Sequence, residues 1–209
     1  ISVASGAVLT MTDLSAGDQI NALYVSYFGR PGDPQGVQFW QDTYADLLDE
    51  GREPLEALTQ IAQNFRGSEE AISRFPVLDP ATAGQASESE VSSFVDAVYD
   101  HLFDRAPEDA GRQFWTGLIQ ERIENGQEIG SVLIDIVAAA SDNGPNDPAS
   151  ATDDATAVRN KVEASDAFAE QLAQADAELG VDISVQQAAD VLNSVGPTYG
   201  SVEQAIDQI

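Results

Sequence analysis

Apolar and polar positions in this chain recur at helical spacing over most of its length. Ile20, Leu23, Tyr24 and Tyr27 lie three or four residues apart and lead to a break at Gly29 to Gly32. Asp33 then reads as an N-cap, with Pro34 at the first helical position, where a missing N–H costs nothing. The helix it opens carries Val37, Trp40, Tyr44, Leu47 and Leu48 on one face and is expected to end near Gly51. Pro54 opens a third helix with Leu55, Leu58, Ile61, Ala62 and Phe65 facing inward, and Ser68 with Glu69 and Glu70 starts a short fourth.

The Pro-, Ala- and Gly-rich stretch 76–86 reads as a linker. Beyond it, Ser87 and Glu90 form a capping box ahead of Val91, Phe94, Val95, Val98, Tyr99 and Leu102 in helical register. Pro107 is expected to begin the next helix and Gly126 to end it. Ile129 to Ala140 is apolar nearly all round, the pattern of a central helix. The polar run SDNGPNDPASATDD, Ser141 to Asp154, reads as a loop. A long helix from about Ala155 to Leu179 follows, holding Val158, Val162, Phe168 and Leu172. Capping boxes at Ser184/Gln187 and Ser201/Gln204 open two more. Strand-like alternation is confined to the opening ISVASGAVLT, so the expected fold is all-α.

Sliding the sequence along itself by 75 positions exposes a gapless self-match. Tyr24 falls on Tyr99, Phe28 on Phe103, Arg30 on Arg105, Gly36 on Gly111, Gln38 on Gln113, Phe39 on Phe114, Trp40 on Trp115, Gly51 on Gly126 and Glu53 on Glu128. Its densest part pairs FGRPGDPQGVQFW with FDRAPEDAGRQFW. The expected organisation is a first helical repeat at 13–75, the linker at 76–86, a second repeat at 87–141, an acidic loop at 142–154 and a C-terminal helical extension at 155–209.

Charge narrows the function classes. The 209 residues hold 36 Asp and Glu against 9 Lys and Arg, a formal net charge of -27. The cations are scattered, so a phosphate backbone would be repelled and nucleic acid is not an expected partner. With no Cys, thiolate chemistry and cysteine-based metal sites are absent, and His101 is the only imidazole. Every apolar run is too short for a membrane-spanning helix. Lys161 is the sole lysine. An acidic surface with so little lysine is suited to concentrated salt or to divalent cations, or is simply well solvated. Ile1 to Thr10 does not read as an export signal, so any export is expected to be directed from elsewhere or by a leader that precedes this sequence.

The motif of Tyr24, Phe28, Gly29, Arg30, Asp33, Pro34, Gly36, Phe39 and Trp40 resembles a widespread bacterial domain of unknown function. The second copy departs from it at Asp104, in place of Gly29, and at Glu108-Asp109, in place of Asp-Pro. Asn160 to Glu163 with Phe168 is similar to an element that follows the repeats in many members, so the likeness covers roughly residues 20 to 175. The resemblance implies a secreted or cell-surface setting: such domains occur in S-layer proteins and in type I secreted proteins with calcium-binding repeats. In some S-layer proteins a similar helical region contacts lipopolysaccharide. It implies no enzymatic activity, and the glycine-rich calcium repeats are absent here.

Candidate chemistry is sparse. Trp40 and Trp115, each preceded by Phe, offer faces on which a pyranose could stack. They nevertheless fall on an apolar stripe beside a tight turn, where core packing is the expected role. Arg30 and Arg105 could clamp an anionic glycan or phosphate. Near a helix C-terminus they are expected instead to bond terminal carbonyls or the Asp33 and Glu108 side of the turn. His101, beside Asp100, reads as a surface histidine rather than a base, because adjacent helical residues diverge. Glu69-Glu70 and Glu108-Asp109 suit the first turns of helices. Asp142, Asn143, Asn146, Asp147, Asp153 and Asp154 supply calcium-type oxygens without EF-hand spacing; a solvated loop is preferred there, and calcium is the one cofactor left open.

These readings point to a non-catalytic secreted or cell-surface module for anchoring or assembly, with a surface polysaccharide or a further copy of the chain as partner. The alternative is an acidic salt- or calcium-responsive secreted protein without a dedicated glycan site. A hydrolase built on a carboxylate pair is disfavoured, since nothing places two acids around a substrate.

Overall fold

The computed structural model describes residues 14–141 and 148–179, with side chains placed at 14–139 and 153–170. The described elements are helical: α1 (Ala16–Phe28), α2 (Pro34–Asp49), α3 (Pro54–Arg66), α4 (Glu69–Arg74), α5 (Glu88–Phe103), α6 (Asp109–Glu124), α7 (Ser131–Ser141) and α8 (Pro148–Leu179). Two 3-10 turns, Pro76–Leu78 and Ala83–Gln85, join α4 to α5. The fold is all-α.

Side-chain caps set the starts of α1, α2, α4 and α5. Ser15 with Asp18 and Ser87 with Glu90 close reciprocal capping boxes, and Asp33 and Ser68 accept from the backbone N–H groups of Gly36 and Ala71. Each such cap is worth about 1 kcal/mol. Pro34 and Pro54 occupy the first helical positions of α2 and α3 as their spacing predicts.

The enclosed helix is α1, where every residue from Gln19 to Phe28 is buried and the neighbours are α2, α3, α4, α5, α7 and α8. Its buried polar side chains are bonded within the helix, to the segment before it and to α8. Ser26 Oγ donates to Ala22 O (2.6 Å), Gln19 Nε2 to Leu14 O (3.0 Å) and Asn21 Nδ2 to Asp166 Oδ1 (2.7 Å). Tyr27 is fully buried and donates to Ala62 O at 3.0 Å; burial drives its phenol far above the usual range. The apolar α7 is also internal, through Val132, Leu133, Ile134, Ile136 and Val137.

The stretch 76–86 holds the two 3-10 turns, with Val77, Leu78 and Ala83 buried. Three sequence expectations are corrected. Leu55 faces outward at 52% exposure, since the buried stripe of α3 runs through Ala57, Leu58, Ile61, Ala62 and Phe65. Pro107 precedes α6 by two residues, with Glu108 at the N-cap. The acidic loop does not reach Asp154: α8 begins at Pro148, with proline again at a helix start. The helices expected after residue 180, and Asp142, Asn143, Asn146 and Asp147, lie outside the described residues.

The chain leaves α1 and α5 through left-handed residues, Gly29 at φ 60° and Asp104 at φ 55°. A Cβ at Gly29 would stand 2.6 Å from His101 Cδ2. Gly29→Ala is therefore expected to lower stability by about 2 kcal/mol, from left-handed strain plus a displaced ring, read as a lower urea midpoint at unchanged slope.

Candidate functional site

The left-handed turn at Gly29 folds Arg30 back across α1. Its guanidinium carbon sits 5.3 Å from the centroids of both Tyr24 and Phe28, Nε and Nη2 clasp Glu70 (3.0 and 2.7 Å), and Nη1 donates to Pro31 O (2.9 Å). At the end of α5, Arg105 lies 5.4 Å from Tyr99 and 5.9 Å from Phe103. Its Nε and Nη2 clasp Asp154 (2.9 and 2.6 Å), while Nη1 reaches Ala106 O (3.1 Å) and Glu108 Oε1 (2.8 Å). The Asp154 hydrogen bonds, above all, push the Arg105 guanidinium still further from deprotonation. Both arginines are fasteners with cation–π and bidentate partners. Glu108 is a partner as expected, whereas Arg30 takes Glu70 instead of Asp33, and the α1 terminal carbonyl of Phe28 is bonded by Arg74.

Of the calcium candidates, Asp153 and Asp154 lie among the described residues. Asp154 is 7% exposed and its two oxygens belong to Arg105, while Asp153 is exposed on α8. No group of three or more His, Asp or Glu suited to a metal occurs among the described residues.

The aromatics divide between core and surface. Trp115 is buried and its Nε1 donates to Tyr99 Oη at 3.0 Å. Trp40 is half-buried, with its ring 5.2 Å from Phe65 and its indole against the Tyr24 hydroxyl. Burial first, then the charge of Asp33, pushes the Tyr24 phenol up to about 12. Phe39 and Phe114, by contrast, are 59% and 61% exposed, each edge-on to the following Trp at 4.9 and 4.8 Å. The outward aromatic faces are thus not the tryptophans but these phenylalanines. The available signal was their place one position off the Val37–Trp40–Tyr44 stripe.

His101 is not a surface residue. It is wedged between α1 and α5, with Nδ1 donating to Ser26 O at 3.1 Å, and burial lowers its pKa, favouring the neutral ring. Beside it Lys161, 2% exposed, reaches from α8 to donate to His101 O and to Asp104 Oδ1, each at 2.7 Å. The lysine thereby caps α5 and holds the left-handed Asp104. Further along the α1–α8 contact, Asp166 accepts from Asn21 and faces the Asp18 carboxylate. Burial, then Asp18, pushes Asp166 up to about 7.

Two surface cavities among the described residues are lined by polar side chains. One of about 240 Å³ lies on α5 and α6, beside Ser92, Arg112, Thr116 and Gln120, and its guanidinium is taken by Asp96 and Asp109. The other, of about 130 Å³, lies beside Arg66, Gly84 and Gln127. None of these arrangements joins a nucleophile, a base and an open cleft. No helix among the described residues is long and apolar enough to cross a membrane. No protein-family model, curated protein or solved structure matches the chain.

Proposed function

We propose that the chain is a non-catalytic binding module for anchoring or assembly outside the cell, made of two variants of one helical unit. The observation that carries this reading is the pair Phe39 and Phe114. Each lies just before the tryptophan of its half, turned outward while that tryptophan packs inward. Outward aromatic faces on an acidic surface suit the C–H face of a sugar or an apolar patch on another subunit. The two-unit reading draws support from matching corners. Gly29 and Asp104 share the left-handed conformation, Gly51 and Gly126 share positive φ (88° and 65°), and Arg30 and Arg105 each lie over the corresponding Tyr and Phe rings and clasp a carboxylate, Glu70 or Asp154. The setting outside the cell rests on the motif resemblance.

The test is sedimentation with cell envelopes, with and without calcium, comparing the wild type with a Phe39→Ser/Phe114→Ser variant. The expected result is envelope binding or self-association that the double variant loses at least tenfold, with helicity unchanged. No binding and no self-association at any calcium level would defeat the proposal. A surface that is the functional property in itself, suggested by the net charge of -27, would instead show salt- or calcium-dependent stability with no envelope partner.

A further inference from the structure

The cavity of about 240 Å³ on α5 and α6 corresponds to a place that a side chain occupies in the first half of the chain. Ser92 and Thr116 line it, and the residues 75 positions earlier are Gly17 and Gln41. There the Gln41 amide lies directly on α1, so close that a Cβ at Gly17 would stand 2.6 Å from Gln41 Nε2. Gln113 and Gly117 also line the cavity, and their counterparts are Gln38 and Asp42, tied by a 2.8 Å bond from Gln38 Nε2 to Asp42 Oδ1. Glycine at 117 offers no side-chain acceptor, so the second half lacks both the amide laid over its first helix and the bonded pair beside it. Packing does not require that glycine. A Cβ at 117 would meet nothing within 4 Å, and glycine inside a helix is less favourable than alanine. Differences at three matched positions thus leave an opening with room for about eight waters, enough for one sugar unit.

We infer that this cavity binds an N-acetylated amino sugar, whose acetamido group takes the place that the Gln41 amide holds in the first half. Both groups are planar amides of similar size, each with a C=O acceptor and an N–H donor. The remaining lining suits sugar hydroxyls. Ser92 and Gln120 are half-buried and Gln113 and Glu88 exposed, so a hydroxyl, two amides and a carboxylate supply donors and acceptors around the opening. Thr116 is buried and serves only as floor. Charge selects a neutral ligand. Arg112 is the one cation of the lining, and Asp96 and Asp109 already hold it at 2.6 and 3.4 Å, while Glu88 adds a negative charge. An anionic sugar would therefore meet repulsion with no guanidinium to spare. The inference rests on the two-unit reading and makes no use of the Phe39 and Phe114 surface.

The experiment is NMR of the glutamine side-chain amide signals of the full chain, titrated with N-acetylglucosamine, glucose and sodium glucuronate at matched ionic strength. The expected result is a saturable shift of the Gln113 and Gln120 signals with N-acetylglucosamine, roughly tenfold tighter than with glucose, and none with glucuronate. Gly117→Leu should fill the cavity and weaken binding roughly tenfold with helicity unchanged, because a Cβ there has open space. Gln113→Ala, at an exposed position, leaves the core untouched and should weaken binding roughly threefold. Equal affinity for glucose would overturn the acetamido assignment. A shift that fails to saturate, that glucuronate reproduces, or that survives unchanged in both variants would overturn the site. The Phe39→Ser/Phe114→Ser protein should bind the sugar as the wild type does, so a failed titration strikes the cavity alone and leaves the anchoring function to its envelope test.

Discussion

Replacing Lys161 with Met is expected to cost about 3 kcal/mol of stability, which should appear as a lower urea midpoint with an unchanged slope. Met retains most of the apolar stem length and loses only the ammonium group. The lost bonds are those to His101 O and Asp104 Oδ1, both at 2.7 Å from a nitrogen on a side chain that is 2% exposed. Burial lowers the Lys161 pKa, and Asp104 opposes that shift, so the pair persists only because each charge finds the other. The cost sits at the lower end for breaking a buried pair, because the Asp104 side chain is 36% exposed and water would recover part of the loss. Asp104→Gly makes the informative control: it relieves a left-handed residue at φ 55° and removes one partner of the lysine. A Lys161→Met protein within 1 kcal/mol of wild type would mean that the α5–α8 contact does not depend on this bond.

Asp166→Asn is expected to stabilise the protein at pH 8 by on the order of 2 kcal/mol and to do nothing at pH 4. The groups facing Asp166 are Asp18 and Asn21 on α1 and Glu170 on its own helix. The folded-state pKa, about 7, lies above the ordinary carboxylate value, so the folded state holds a proton that the unfolded chain releases earlier. The associated stability is complete below about pH 4 and is lost as pH rises through 7. An asparagine amide offers Asp18 a permanent donor and still accepts from Asn21. Unfolding free energies from pH 4 to 8 should therefore fall less steeply in the variant. Parallel profiles would show that Asp18 and Asp166 do not share a proton.

What could be read in the sequence was local. Asp33 and Pro34, Ser68, and the Ser87–Glu90 box act within one helical turn, so spacing alone located the helix starts. Partners far apart in sequence were not legible. Glu70 lies 40 positions from Arg30, Asp154 49 from Arg105, and Asp104 57 from Lys161. Nothing short-range distinguishes those acids from the many that stay solvated. Periodicity also concealed the centre of the fold, because Gln19, Asn21 and Ser26 break the apolar pattern of α1 yet are buried with bonded partners. The apolar α7 looked more central for the opposite reason. Leu55 shows the converse, an apolar residue at the edge of a stripe that the third helix leaves outside. The cover over His101 is likewise invisible to spacing, because the α1–α5 contact is a tertiary event.

The burial of Lys161 has a chemical consequence. This is the only ε-amine in the 209 residues, and it lies out of solvent beneath α8. An acylating reagent can modify it only when the helix lifts away, and modification removes the charge that seats the helix again. The native side chain is thus a built-in reporter of that opening, requiring no introduced label.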